Sequence, residues 1–378
     1  MIYLNCAATA FKRPDCVVEA VSQGLCGVGS SGRGASATEL ASARVVFEAR
    51  EALASILGFS HPDRICFTLN ATQALNMAIL GFVRPYDHVV ATDWDHNSVL
   101  RPLHRLEDEY NVSVDYVRAD TSGNLIMEDF SRLISDDTRL VCVTHQSNLT
   151  GNICDLKKIA QIVHEKGSYL LVDAAQSAGA MNIDMDEISI DILCFTGHKA
   201  LFGPQGTGGI AVGPDIDIRT TFEGGTGILS FERRQPDIYP EHLEAGTLNT
   251  HGICGLCASA RWILDKGLDT FMSHDAKLLE MFLDETQDIP GLERYGNFSA
   301  DHGSILCVNL HDLPSSSLAD KLSYEYGIAT RPGAHCAPRM HYALGTQDKG
   351  AVRFSWNWFT DATDIHEASL ALRQIAQL

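Results

Sequence analysis

The sequence predicts an α/β fold: a mainly parallel central sheet with helices on both faces, plus a smaller α+β lobe. Two observations carry this. Strand-like and helix-like stretches alternate through the first two-thirds of the chain, which a parallel sheet covered by helices requires. After about residue 265 the pattern changes to a helix, a strand near 304–309 and a final helix near 364–377.

The elements follow in order. Residues 38–57 carry Leu40, Ala43, Phe47, Ala54 and Leu57 near helical spacing, and Gly58 stops the run. Residues 64–68 read as a strand, and 72–80 as a helix after the turn Asn70-Ala71. Strands at 88–92, 113–117 and 140–144 alternate with helices at 98–110, 127–134 and 156–165. Further strands are expected at 169–172 and 191–195. In such sheets ligands sit at the carboxyl ends of the strands. The polar oddities fall at those ends: Asn70-Ala71-Thr72, Asp95-His96, residues 145–148, residues 173–176 and residues 196–199. That clustering predicts one shared site.

Composition narrows the function. The chain has 378 residues, 45% hydrophobic and 20% charged, as in ordinary globular proteins. A formal charge of -19 with no Lys/Arg run argues against nucleic acid, whose phosphates repel such a surface. Eleven scattered cysteines, an odd number in a long chain, fit a reducing cytoplasm rather than a disulfide framework. No basic-then-apolar leader opens the sequence, and no apolar run approaches about 18 residues, so neither secretion nor a membrane span is expected.

Several residues stand in positions suited to chemistry. A hydrophobic strand runs into Phe195-Thr196-Gly197-His198-Lys199 and then a glycine-rich segment at 203–209. A lysine there sits in a partly desolvated cleft with a lowered pKa, as Schiff-base chemistry needs. Taken alone, a surface lysine in a glycine-rich loop explains the segment equally well. Asp173 ends the apolar strand Leu171-Val172-Asp173, where a carboxylate is costly unless paired. Facing a pyridinium nitrogen it would keep an electron sink protonated, and a helix cap or core hydrogen bond is the plainer alternative. The two together favour pyridoxal phosphate. Ala71 and Thr72 open a helix whose free N–H groups suit a phosphate. His96 could stack on an aromatic ring, though a lone histidine is more often a loop residue. Asn148 could bind a phenolic oxygen or a substrate carboxylate, or serve a turn. Arg353 could clamp a carboxylate with two parallel hydrogen bonds, or form an ion pair. Cys336 beside His335, in a loop bounded by glycine and prolines, is a setting for a thiolate nucleophile, or one more buried cysteine. Cys254-x-x-Cys257 lies in an expected helix without a second pair, so no metal site is predicted.

These pieces resemble the cysteine desulfurases among the class V aminotransferase-like, fold type I pyridoxal-phosphate enzymes. The resemblance runs from Tyr3-Leu4-Asn5-Cys6-Ala7-Ala8-Thr9 to Val352-Arg353-Phe354-Ser355. Thr196-Gly197-His198-Lys199 is its most specific piece, with Val172-Asp173-Ala174-Ala175-Gln176, Ser147-Asn148-x-x-Gly151 and the stretch from Glu244 to Thr250. It implies Lys199 as the Schiff-base lysine, Asp173 on the pyridine nitrogen, Gln176 on the ring oxygen and His96 on the ring face. Ala71, Thr72, Thr196 and His198 would hold the phosphate, joined by Thr247 of a second copy, so a homodimer is implied. Asn148, Arg353, Arg331 and His335 would face the substrate, and Cys336 would carry the persulfide. The loop Arg331-x-Gly333-x-His335-Cys336 looks like the short group II version. Ala334 replaces its first histidine and Pro338 its glutamine, Asn5-Cys6 replaces Asp-Asn, and Asn70-Ala71-Thr72-Gln73 replaces Gly-Thr-Thr-Glu. The implied division is a large unit over 15–265 and a small one over 1–14 and 266–378, the latter carrying Cys336. The implied reaction turns L-cysteine into alanine and passes the persulfide sulfur to an acceptor protein or thiol. Selenocysteine lyase, with the same site, and a class V aminotransferase are the rival activities.

Overall fold

The computed structural model describes residues 1–29 and 36–377. A short strand, β1 (Ile2–Tyr3), precedes two helices, α1 (Asp15–Gly27) and α2 (Ala37–Leu57). Ser36 and Glu39 cap α2 reciprocally, and Gly58 at φ +56° ends it. Strand–helix units follow: β2 (Ile65–Thr68), α3 (Ala71–Phe82), β3 (His88–Thr92), α4 (Asn97–Tyr110), β4 (Ser113–Val117) and α5 (Met127–Leu133). They continue with β5 (Thr138–Thr144), α6 (Leu156–Glu165), β6 (Tyr169–Asp173), α7 (Met185–Ile188), β7 (Ile192–Thr196) and β8 (Gly208–Val212). The later chain holds α8 (Thr250–Lys266), α9 (Leu268–Thr286), β9 (Leu292–Tyr295), β10 (Ile305–Leu310), α10 (Ser315–Tyr326) and β11 (Ile328–Ala329). It closes with α11 (Pro338–Ala343), β12 (Val352–Ser355) and α12 (Ala362–Ile375).

Seven strands form the central sheet in the order β2-β8-β7-β6-β5-β3-β4. The pairs from β7 to β4 are parallel, while β8 runs antiparallel to both β7 and β2. The inner strands are buried on both faces, so they read as unbroken apolar runs. The expected glycine-rich loop at 203–209 therefore ends as a strand at Gly208. A Cβ on Gly209 would lie 2.4 Å from the Phe195 ring, and one on Gly208 would lie 2.8 Å from Asn70 Cα. Only glycine lets β8 pack this closely against β7 and the entry to α3.

A second, antiparallel sheet of order β12-β10-β9 and the parallel pair β1-β11 build the smaller lobe. Its core gathers Leu4, Phe282, Leu306, Phe354, Trp356 and Leu372, separate from the clusters on the two faces of the large sheet. The sequence reading placed no helix at α1 or α10. All eleven cysteines are free, including Cys254 and Cys257 in α8. Among the described residues no helix is long and apolar enough to cross a membrane.

Candidate active site

The carboxyl ends of β3, β5, β6 and β7 converge. Thr144 of β5 pairs in register with Asp173 of β6, and Asp173 pairs with Cys194 of β7. Lys199 lies just past β7 in a tight turn closed by Gly197 N to Thr207 O (2.8 Å), Gly203 N to Gly197 O (2.7 Å) and Phe202 N to Lys199 O (2.9 Å). The amino-terminal segment clamps this turn. Ala10 N donates to His198 O at 2.9 Å, and Thr9 Oγ1 meets both His198 O and His198 Nδ1. Burial lowers the Lys199 pKa to about 8, Asp173 opposes this, and Arg353 and Arg331 add to it. Asp173 is 4% exposed. Its Oδ1 accepts from Ala175 N at 2.9 Å, and among the described residues no donor meets Oδ2. Burial pushes its pKa up while Lys199 draws it down.

An anion cradle stands beside this pair. Gly208 faces Thr68 on one side and Thr196 on the other, so the start of α3 and the end of β7 are neighbours. Asn70 caps α3 through Oδ1, which accepts from Gln73 N. Among the described residues the N–H groups of Ala71 and Thr72 take no partner. Thr196 Oγ1 is buried and also unpartnered. His198 is neutral, its pKa lowered to about 4 by burial and by nearby Lys199 and Arg13. Free donors at a helix start with an orphaned hydroxyl make an anion site.

His96 caps α4, its Nδ1 accepting from Ser98 N at 3.0 Å. Ser98 Oγ lies 2.8 Å from the same nitrogen. With Nδ1 serving as acceptor, the ring proton sits on Nε2. Burial and the cations Lys199, Arg331, Arg353 and Arg101 lower the His96 pKa to about 4. Beneath it Asp95 is fully buried, accepting from Thr92 N (2.6 Å) and Thr144 Oγ1 (2.8 Å). The sequence places Asp95 among the strand-end polar residues but gives it no role, and it gives no sign of Ser98. A place at a helix start, which many residues share, is the only signal Ser98 carries.

Arg353 of β12 is 1% exposed. Its Nη1 donates to Asn148 O at 2.9 Å and its Nη2 to Asn5 Oδ1 at 3.4 Å, while Nε is buried without a partner. Asn148 Nδ2 donates to His335 O at 2.8 Å, and its Oδ1 is unpartnered. Gln176 Nε2 donates to Ala7 O at 3.1 Å. A buried guanidinium with a free Nε donor suits a carboxylate, and the second N–H of Asn148 Nδ2 is a further donor beside it.

Cys336 is half-buried on a loop held across these strand ends. Asn97 N donates to Cys336 O at 2.9 Å, which ties the loop to α4. His335 and Cys336 have φ of +51° and +58°, a left-handed pair without glycine. Arg331 Nη2 approaches Cys336 Sγ at 3.9 Å. His335 is 2% exposed, its Nε2 bonds Arg331 O at 2.9 Å, and its Nδ1 has no partner. No hydrogen bond joins it to Cys336 among the described residues, and burial keeps it neutral. Thr247 stands apart, exposed in the long segment between β8 and α8.

The chain matches the family Aminotransferase class-V over residues 2–367. It is 34% identical to a protein of Methanothermobacter thermautotrophicus described as "Probable cysteine desulfurase", covering 99% of this chain and 94% of that one. It is 31% identical to a cysteine desulfurase of Haloferax volcanii, covering 91% and 83%. Among solved structures, the apo cysteine desulfurase from Thermococcus onnurineus NA1 superposes with a TM-score of 0.93 at 28% identity, covering 100% of this chain and 94% of that one. The Escherichia coli cysteine desulfurase CsdA gives 0.89 at 26% identity, again covering 100% and 94%.

Proposed function

The chain belongs to the class-V aminotransferase family, and on that premise we propose that it is a pyridoxal-phosphate-dependent cysteine desulfurase. The observation that carries this reading is the Cys336 loop tied across the same strand ends that hold Lys199 and Asp173. An aminotransferase has no need of a cysteine there. The residues present fit the cofactor: the orphaned Thr196 hydroxyl and the free N–H groups of Ala71 and Thr72 suit its phosphate, and Asp173 Oδ2 suits its ring nitrogen. His198 joins the phosphate group of residues, Gln176 reaches the ring oxygen, and His96 covers the ring.

When bound, the cofactor acts as an electron sink that makes the substrate's Cα proton acidic. Lys199 Nζ takes that proton and later gives one back, and its lowered pKa keeps a share of the amine free near neutral pH. Asp173 holds the ring nitrogen protonated. Arg353 and Asn148 orient the substrate carboxylate, and Arg331 stands beside the reacting sulfur. The Cys336 sulfur attacks the substrate sulfur. The Cβ–S bond breaks, Cβ takes a proton, alanine leaves, and the sulfur stays on Cys336 as a persulfide for an acceptor protein or thiol.

The functional unit is a homodimer in which exposed Thr247 completes the partner's phosphate site. A fully active monomer in sedimentation contradicts this. The decisive assay supplies purified protein with L-cysteine and, separately, with selenocysteine at matched concentration. Alanine and sulfide from L-cysteine support the reading. Turnover of selenocysteine alone, or a keto acid as product, overturns it.

A further inference from the structure

Lys199 lines a narrow cavity together with Gln146, Asp275, Ser304 and Ala180. The last four of these residues also line a wider cavity that extends past His145 and His302 to the exposed residues Ala276 and Asp301. Gln146, Ala180, Asp275 and Ser304 thus stand between the two voids, the inner one reaching Lys199 and the outer one reaching the surface between α9 and the segment before β10.

Four unsatisfied polar atoms lie on residues that line these voids. Gln146 Oε1, Asp275 Oδ1, His145 Nδ1 and His302 Nε2 are all buried without a hydrogen-bond partner. Gln146 is 2% exposed and His145 6%. Gly303 makes room for the Gln146 amide, since a Cβ there would lie 1.9 Å from Gln146 Nε2. Orphaned polar groups along one void are satisfied by ordered water. The Cys336 loop, whose thiol acts on the Lys199 charge, is tied down through Asn97 N and Asn148 Nδ2.

We propose that waters in the two voids form a proton route by which Lys199 exchanges protons with bulk solvent, with Asp275, which lines both, as the acid–base group that passes protons between them. The proposal rests on Lys199 being the group that takes the substrate's proton. A proton on Lys199 Nζ passes to a cavity water, which gives a proton to the Asp275 carboxylate. Asp275 then releases one to the outer waters. Each N–H or O–H bond broken is matched by an O–H bond formed, and no electron pair leaves its atom. Trp356 Nε1 bonds Asp275 O at 3.2 Å, which fixes the residue on α9. Burial raises the Asp275 pKa to about 7, with the Ser304 hydroxyl opposing, so both protonation states are populated at neutral pH. Cys6 also faces Asp275, and burial keeps its thiol protonated.

The test follows isotope fate. Protein with its cofactor turns over L-cysteine in heavy water, and the alanine formed is examined for hydrogen at Cα. In the wild type nearly all of it comes from solvent. Asp275→Asn, which removes the relay group, and Ala180→Leu, which fills the void, each raise the retained substrate hydrogen several-fold. Unchanged isotope content in both variants overturns the route. Infrared spectra of the resting protein at neutral pH supply a readout without turnover: a carboxylic-acid carbonyl band present in the wild type and lost in Asp275→Asn. Absence of that band from the wild type also overturns the proposal. A wild type that makes no alanine sinks the desulfurase reading instead, and the infrared result still decides on Asp275.

Discussion

Ser98 Oγ lies 2.8 Å from His96 Nδ1, and the same oxygen lies 2.8 Å from Thr72 Oγ1. One hydroxyl thus joins the start of α3, where an anion would sit, to the ring that caps α4. Ser98 donates to Nδ1 and accepts from Thr72, which fixes the imidazole tautomer and aims the threonine hydroxyl.

Ser98→Ala therefore loosens both residues at once. Loss of one or two such bonds costs roughly 0.5–1.5 kcal/mol each. Cofactor affinity is expected to fall by about an order of magnitude, with the fold intact. Titration of the cofactor-free variant, read by absorbance, checks this. An unchanged affinity would show the linkage to be incidental.

Lys199 must be a free amine to condense with an aldehyde. Its pKa is lowered to about 8, so the rate of cofactor uptake should climb through pH 8 and level off well below the ordinary lysine range near 10.4. The sign for stability is the same. Between the folded and unfolded values the unfolded chain binds more protons, so the cofactor-free protein gains stability as pH rises through that window and loses it as pH falls through about 8. Lys199→Met removes the buried charge, so it should raise the melting temperature of the cofactor-free protein at pH 7 while abolishing turnover. A melting temperature that drops instead would contradict the burial argument.

Arg353→Lys keeps the charge and loses the planar fork. Hydrogen bonds to charged groups contribute about 1.5–3 kcal/mol, so KM for cysteine should rise roughly tenfold to a hundredfold. Steady-state kinetics measure it, and a loss confined to kcat, with KM unchanged, would place Arg353 outside carboxylate binding.

Cys336→Ala should make neither sulfide nor a protein-bound persulfide, while the cofactor spectrum still shifts on adding cysteine. Labelled cysteine provides the check, since wild-type protein retains the label on Cys336 and the variant does not. Sulfide release at the normal rate from the variant would remove Cys336 from the chemistry.

His335 is already neutral and buried, its Nε2 occupied by Arg331 O. His335→Gln should leave the pH dependence of turnover in place, even if it lowers the maximum by loosening the loop. A pH profile shifted by a unit or more would give His335 a proton-handling role through its free Nδ1, against the lowered pKa that burial imposes.

Periodicity made much of the large sheet legible. The strands at His88–Thr92 and Ser113–Val117 and the helix Leu156–Glu165 match the pattern residue for residue, the first as an apolar run, the second by alternation and the third by helical spacing. β8 was hidden for the opposite reason. Gly208 and Gly209 read as loop, and only the Phe195 ring and the Asn70 backbone across the sheet show why glycine is needed there. The site divides the same way. Lys199, Asp173 and Thr72 announce themselves by standing at strand ends. Ser98 and Asn5 matter only through partners brought together by different strand–helix units, and spacing along the chain carries no trace of that.

The two consecutive left-handed residues at His335 and Cys336 set stability against activity. A residue with a Cβ at such φ costs on the order of 1–3 kcal/mol, and glycine does not bear that cost. Cys336→Gly should therefore melt higher than the wild type while being inert toward cysteine. A selection scored on thermal tolerance alone would drift toward that dead protein, and a library meant to stabilise this enzyme has to be scored on sulfur released.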